Sequence, residues 1–265
     1  MRRYAMVLGV VVLCIGMAQI SGVLVTRAGA HDLWIEATNY APEAGSDVTL
    51  ALVYGHEFPG TEYLPEEYLE EMVLLDPKGK RIELKQGTES GRRTCKAAKL
   101  PGTYVATAVT KGRFWTKTTE GYQSGRSKQG LQDVISCTYS AKFAKAILHV
   151  EHAGSSVVSE PLGHDLEIVP LKDPKGLSAG DELPVKVLYK GGPLPYAQLL
   201  ATYAGFSSDK NVFAYAVKTN PEGLANIRLL HPGAWLVTAG HRDTFPDTEV
   251  CDQYSFGAAL TFRIP

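Results

Sequence analysis

Short runs of alternating apolar and polar residues, each closed by a proline or glycine turn, leave this chain little room to be anything but a β protein. Val48, Leu50, Leu52 and Tyr54 alternate with Asp47, Thr49 and Ala51, and Leu183, Val185, Val187 and Tyr189 repeat the pattern around Pro184 and Lys186. A period of two puts one set of side chains on one sheet face and leaves the other half solvated. Turn sequences punctuate the runs at Asp76-Pro77-Lys78-Gly79, Asp173-Pro174-Lys175-Gly176, Gly191-Gly192-Pro193 and Asn220-Pro221-Glu222-Gly223. In each, proline presets φ and glycine is available for positive φ.

An internal echo refines the expectation. Pro101-Gly102-Thr103-Tyr104-Val105-Ala106-Thr107-Ala108 reads like Pro232-Gly233-Ala234-Trp235-Leu236-Val237-Thr238-Ala239, a turn, an aromatic anchor and a strand. Each copy has a hairpin turn upstream, at Asp76 and at Asn220. The fold class expected is all-β, with two β-sandwich domains of immunoglobulin-like or prealbumin-like plan in tandem. They are expected at residues 31–160 and 161–265, joined near Pro161-Leu162-Gly163. Gly112 to Gly130, rich in Gly, Ser, Thr and Lys, reads as a long surface loop. Leu131 to Val150 reads as a short helix or coil, favoured by Ala141, Ala144 and Ala146, followed by a strand at Ile147-Leu148-His149-Val150.

The first 30 residues stand apart from that globule. Arg2 and Arg3 precede an apolar run from Ala5 to Ala18, and Ala28-Gly29-Ala30 has the small residues of a cleavage site, the order of a secretory signal peptide. The run is about 14 residues, short of the roughly 20 that span a bilayer as a helix. Val11-Val12-Leu13 before Cys14 lacks the small residue expected ahead of a lipid-modified cysteine. Cleavage after Ala30, export to the periplasm or another extracytoplasmic space, and no stable membrane insertion are therefore expected. With 27 Lys+Arg against 28 Asp+Glu, losing Arg2, Arg3 and Arg27 leaves a mildly acidic chain, which argues against a nucleic-acid partner. Exported thiols tend to pair, and Cys95, Cys137 and Cys251 allow one intramolecular disulfide with one sulfur left over. Cys95 with Cys137 is the favoured pairing, since both lie in the first half. No CxxC points to a zinc-thiolate site.

Cleavage after Ala30 would make His31 the first residue, so that its free α-amine and Nδ1 could close a chelate ring on one metal ion. An internal histidine cannot do this, because its nitrogen is an amide. The amine has an ordinary pKa of about 7.7 to 8.0 and can release its proton to a metal near neutrality. Amine and imidazole nitrogens suit nickel, copper, cobalt and zinc. His56 follows the Val48–Tyr54 run in Gly55-His56-Glu57-Phe58-Pro59-Gly60, and His241 ends the strand that begins at Trp235. The echo places Thr110 at the position of His241, so a strand there has no need of histidine. His31, His56 and His241 are the candidate metal ligands. His164 in the linker, and His149, His152 and His231 at strand ends or turns, read as structural. Phe114, Trp115 and Tyr122 are aromatics that would either touch a partner or sugar or cover a small core of their own. No H-E-x-x-H, phosphate-loop or dinucleotide pattern occurs, and no catalytic residues or organic cofactor are expected.

His31-Asp32-Leu33-Trp34-Ile35-Glu36, Gly55-His56-Glu57-Phe58, Thr118-Thr119-Glu120-Gly121-Tyr122, Ala141-Lys142-Phe143-Ala144-Lys145, Leu166-Glu167-Ile168-Val169-Pro170-Leu171 and Pro232-Gly233-Ala234-Trp235-Leu236 together resemble a periplasmic family of domains of unknown function also known as NikM. That family is associated with nickel and cobalt uptake, and the resemblance spans nearly all of the chain after residue 30. It implies an exported protein that captures nickel or cobalt and hands it to the membrane components of an uptake transporter, with His31, His56 and His241 at the family's histidine positions. Cys251 and Tyr196 depart from its pattern. The alternatives are a periplasmic copper-handling protein, a copper oxidative enzyme acting on polysaccharide through an amino-terminal histidine, and a structural adhesion module.

Overall fold

The computed structural model describes residues 31–87, 91–96, 100–151 and 156–265. The expected signal peptide at 1–30 and His152 lie outside the described residues. Residues His31–Pro265 form one compact unit.

The first half carries β1 (Asp32–Ala37), β2 (Asp47–Gly55), β3 (Leu69–Leu75), β4 (Arg81–Glu83), β5 (Lys85–Gln86), β6 (Arg92–Lys96), β7 (Gly102–Thr110), β8 (Arg113–Thr118), β9 (Gly121–Ser124) and β10 (Val134–Val150). The second carries β11 (Leu166–Pro170), β12 (Glu182–Tyr189), β13 (Gly192–Pro193), β14 (Gln198–Tyr203), β15 (Tyr215–Lys218), β16 (Leu224–Arg228), β17 (Gly233–Thr244) and β18 (Gln253–Ile264). The protein is all-β, built as two immunoglobulin-like sandwiches in tandem.

The echo extends through both halves. In the first, β2 pairs with β1 and β6, β7 pairs with β3 and β10, and β4 flanks β3. In the second, β12 pairs with β11 and β16, β17 pairs with β14 and β18, and β15 flanks β14. The sandwiches are not separate bodies, because their inner sheets merge where β10 and β18 run parallel from Thr138↔Gln253 to Ala146↔Thr261. The change of half near Pro161 is therefore a change of layer, while one ten-stranded sheet runs through both halves.

A two-fold relation along a parallel seam exchanges the faces of the sheet, and the buried side chains follow it. Tyr104 of β7 packs with Leu50 and Leu52 of β2 on the first face. Trp235 of β17 packs with Val185 and Val187 of β12 on the opposite face. Each aromatic also bonds the carbonyl four residues upstream, Tyr104 Oη to Leu100 O at 2.9 Å and Trp235 Nε1 to His231 O at 2.8 Å. These bonds satisfy the polar tip of each buried ring.

Three expectations are corrected. Gly112 to Gly130 contains a hairpin, β8 with β9, and β8 pairs with the start of β10. The buried face of β8 is made of Thr116 and Thr118, whose hydroxyls bond Arg126 O at 2.6 Å and Gly121 O at 3.1 Å, so no apolar alternation marked it. The alanines of 131–150 lie within the 17-residue β10 rather than a helix. That strand is covered on both faces, and small side chains fit the space between layers, so packing overrides helix propensity. The disulfide joins Cys137 to Cys251, not to Cys95. Cys137 lies in β10 and Cys251 just ahead of β18, and the seam brings their Cα atoms to 4.9 Å. Cys95 lies on β6 in the outer sheet, opposite Val48.

Candidate metal site at the start of the first strand

β1 and β2 pair antiparallel with Asp32 opposite Gly55, so the residue before β1 and the residue after β2 are neighbours by register. Those residues are His31 and His56, and their ring centroids lie 4.5 Å apart. The Tyr54 ring lies 5.1 Å from His31.

The loop after β2 is folded back to hold this arrangement. Tyr54 N donates to Glu62 O at 3.0 Å and Leu64 N to Leu52 O at 2.9 Å, closing residues 56–62 over the sheet edge. Glu36 Oε1 accepts from Trp34 Nε1 at 2.7 Å and from Gly60 N at 2.9 Å, tying the loop to β1. A Cβ on Gly60 would stand 2.6 Å from Val53 and 2.7 Å from Trp34, so this approach requires glycine. Trp34 in turn packs with Phe58 and with Leu236 and Ala259 of the second half.

The second half supplies a further group. Asn211, at φ 60°, donates its backbone N–H to His56 O at 2.7 Å. Its Oδ1 lies 3.1 Å from His56 Nδ1. In the tautomer where Nδ1–H donates to Asn211, Nε2 of His56 is left with its lone pair, the arrangement that outer hydrogen bonds impose on metal-binding imidazoles. Burial holds the His31 imidazole below its ordinary pKa. His56, Lys142 and Lys210 push the same way against the opposing pull of Glu62. The His31 ring is therefore a neutral nitrogen donor at neutral pH.

His241 is not brought to this pair. Trp235, Val237 and Ala239 face the second sandwich, and His241 continues their alternation. Its ring lies 4.4 Å from Tyr189 of β12, whose hydroxyl donates to Asp243 at 2.8 Å. His31 and β1 lie over the opposite face, so the expected set of three histidines is corrected to a pair. Among the described residues no three His, Cys, Asp or Glu side chains converge as a metal-holding group.

The remaining histidines make local bonds. His149 Nε2 meets Asp173 Oδ1 at 2.7 Å, His164 Nε2 meets Thr107 Oγ1 at 3.1 Å, and His231 stacks on Tyr203 at 4.7 Å. Of the exposed-looking aromatics, Phe114 joins an aromatic cluster with Tyr139 and Phe245, whereas Trp115 and Tyr122 remain exposed. A cleft of about 490 Å³, lined by Glu36, Tyr40, Phe58 and Arg263 among others, includes neither His31 nor His56. Sequence reasoning missed Asn211, Lys142, Lys210 and Glu62, which reach the site from distant segments and carry no local motif. Among the described residues no helix is long and apolar enough to cross a membrane.

No curated protein matches the chain. Among solved structures it is similar to the D0-D1 domain of Intimin, at 14% identity over 88% of this chain and 97% of that one, with a TM-score of 0.23. It is also similar to a two-domain fibronectin type-III segment from chicken tenascin, at 12% identity over 85% and 97%, with a TM-score of 0.22. These overlays are loose, and the sandwich architecture rests on the strand pairing above. A family described as a domain of unknown function, DUF4198, matches residues 28–243, and the chain belongs to that family.

Proposed function

We propose that this chain is an exported transition-metal-binding protein that captures nickel or cobalt as cargo, with His31 and His56 as its protein ligands. The observation that carries this reading is the 4.5 Å approach of the two imidazoles, made by the β1–β2 register and braced by Asn211. After cleavage at Ala30 the His31 α-amine adds a third nitrogen, and the set of one amine and two imidazoles suits nickel, cobalt, copper or zinc. Three nitrogens leave coordination positions open, which fits a protein that must release its ion to the membrane components of a transporter in the periplasm. The reading is of a binding protein and not an enzyme. A copper-handling role, or a copper oxidative enzyme acting on polysaccharide, would use the same nitrogens, and competition between metals separates them from nickel or cobalt capture.

The test is isothermal titration of the processed protein with nickel, cobalt, copper and zinc, beside two variants. Adding one alanine ahead of His31 keeps every side chain but converts the amine to an amide. His56→Ala removes one imidazole. Each is expected to weaken nickel or cobalt binding by about 10-fold or more, as losses even outside the ligand set can. His241→Ala is expected to bind as the wild type does. Unchanged affinity in the alanine-extended protein would remove the free terminus from the site, and no metal binding by the wild type would end the reading.

A further inference from the structure

Lys145 of β10 and Glu167 of β11 meet in the interior, Nζ against Oε1, with side chains 5% and 1% exposed. Neither group takes part in the metal site. Phe143 and Ile147, two residues either side of Lys145 on β10, belong to the surrounding apolar core. Thr107 stands opposite Lys145 on β7, and His164, bonded to that threonine and stacked on Phe143 at 5.3 Å, closes the approach. The carboxylate also accepts from two backbone donors, Leu162 N to Oε1 at 2.6 Å and Gly163 N to Oε2 at 3.1 Å.

An amine and a carboxyl in contact, sealed from water, with N–H donors on the carboxyl oxygens, are the components of an acyl-transfer site. We infer that Lys145 and Glu167 condense to an intramolecular amide, a covalent cross-link between the last strand of the first half and the first strand of the second.

The step balances without any further reactant. The contact holds the Glu167 carboxyl low despite its burial, so the pair begins as ammonium and carboxylate. Burial pulls Lys145 toward the neutral amine, since a low-dielectric interior disfavours both charges. One proton passes from Nζ to the carboxylate, and the neutral amine then attacks Cδ. The tetrahedral oxyanion is met by the Leu162 and Gly163 N–H groups, preorganised donors of the kind that stabilise such intermediates. The Nζ–Cδ bond forms and one Cδ–O bond breaks. The departing oxygen leaves as water with two protons that began on Nζ. Nothing is oxidised or reduced. The product replaces two buried charges by one amide and joins residues 22 positions apart in sequence.

Intact mass spectrometry of the full exported chain, purified without reductant, decides the matter. The mass is expected to fall about 18 Da, one water, below that of the disulfide-bonded sequence. Trypsin is expected not to cut after Lys145, and the digest to contain a branched peptide joining Lys145 to Glu167. Lys145→Arg removes the nucleophile while keeping a cation opposite Glu167, and its mass is expected to match that of its disulfide-bonded sequence with no further deficit. A wild-type mass without the deficit overturns the cross-link, as does a deficit that persists in Lys145→Arg or maps to other residues.

Discussion

The Cys137–Cys251 disulfide is the point at which the shared sheet can be tested most directly. The two half-cystines are 114 residues apart in sequence and both are fully buried. They lie one and two residues before the first parallel pair of the seam, Thr138 opposite Gln253. Replacing both by alanine returns to the unfolded chain the freedom to open that loop. In the chain-entropy treatment the loss is 2.1 + 1.5R ln n, which for this loop is about 16 cal/mol/K, or about 4.8 kcal/mol at 25 °C, at the upper end of the 2–5 kcal/mol seen for native disulfides. With a urea slope of about 2–3 kcal/mol per molar for a chain this size, the midpoint should fall by about 2 M. Urea unfolding of wild type and Cys137→Ala/Cys251→Ala, followed by tryptophan fluorescence and far-ultraviolet circular dichroism, measures it. Trp235 reports the second sandwich and Trp34 the contact between halves, so both signals should move together if the sheet is continuous. A midpoint shift under about 0.3 M, or two separated transitions in the wild type, would refute the reasoning.

Other outcomes follow from single groups. Burial holds the His164 pKa at about 4 against the ordinary 6.5. The unfolded chain therefore binds the extra proton first on acidification. Stability is full above about pH 6.5 and is lost as pH falls toward 4, by about 3 kcal/mol at 1.36 kcal/mol per pKa unit; His164→Gln should flatten that part of the profile in thermal melts. Gly60→Ala should destabilise by about 1–3 kcal/mol through its clash with Trp34 and Val53, and also weaken metal binding in the same titrations, whereas a melt like the wild type's would show that the loop adjusts freely. Asn211→Ala should weaken nickel or cobalt binding about 10-fold with little change in the melting temperature, and unaltered affinity would remove its role in orienting His56. Tyr104→Phe should cost about 1–2 kcal/mol in urea unfolding, because its hydroxyl both donates to Leu100 O and accepts from Leu100 N.

Local pattern was enough to establish the β class, the strands at Val48 and Leu183, and the likeness of the Tyr104 and Trp235 strands. Each of these rests on side-chain alternation or turn chemistry within a few residues. The pairing of His31 with His56 was also within reach, because one strand begins where the other ends and a hairpin makes those ends neighbours. Alternation says that successive residues point opposite ways, but not which layer lies on either side. For that reason His241 could be placed at the end of a strand while its separation from His31 by the thickness of the sheet stayed hidden. The hairpin of β8 and β9 escaped because threonines, not apolar residues, fill its buried face, and β10 because alanines suit a strand covered on both sides as well as they suit a helix. The Cys137–Cys251 bond and the Lys145–Glu167 contact follow from the merging of the two sandwiches along β10 and β18 and from β11 packing beside that seam. Those contacts join residues far apart in the chain, and only the assembled tertiary structure, in which apolar burial selects one layer order, brings them together.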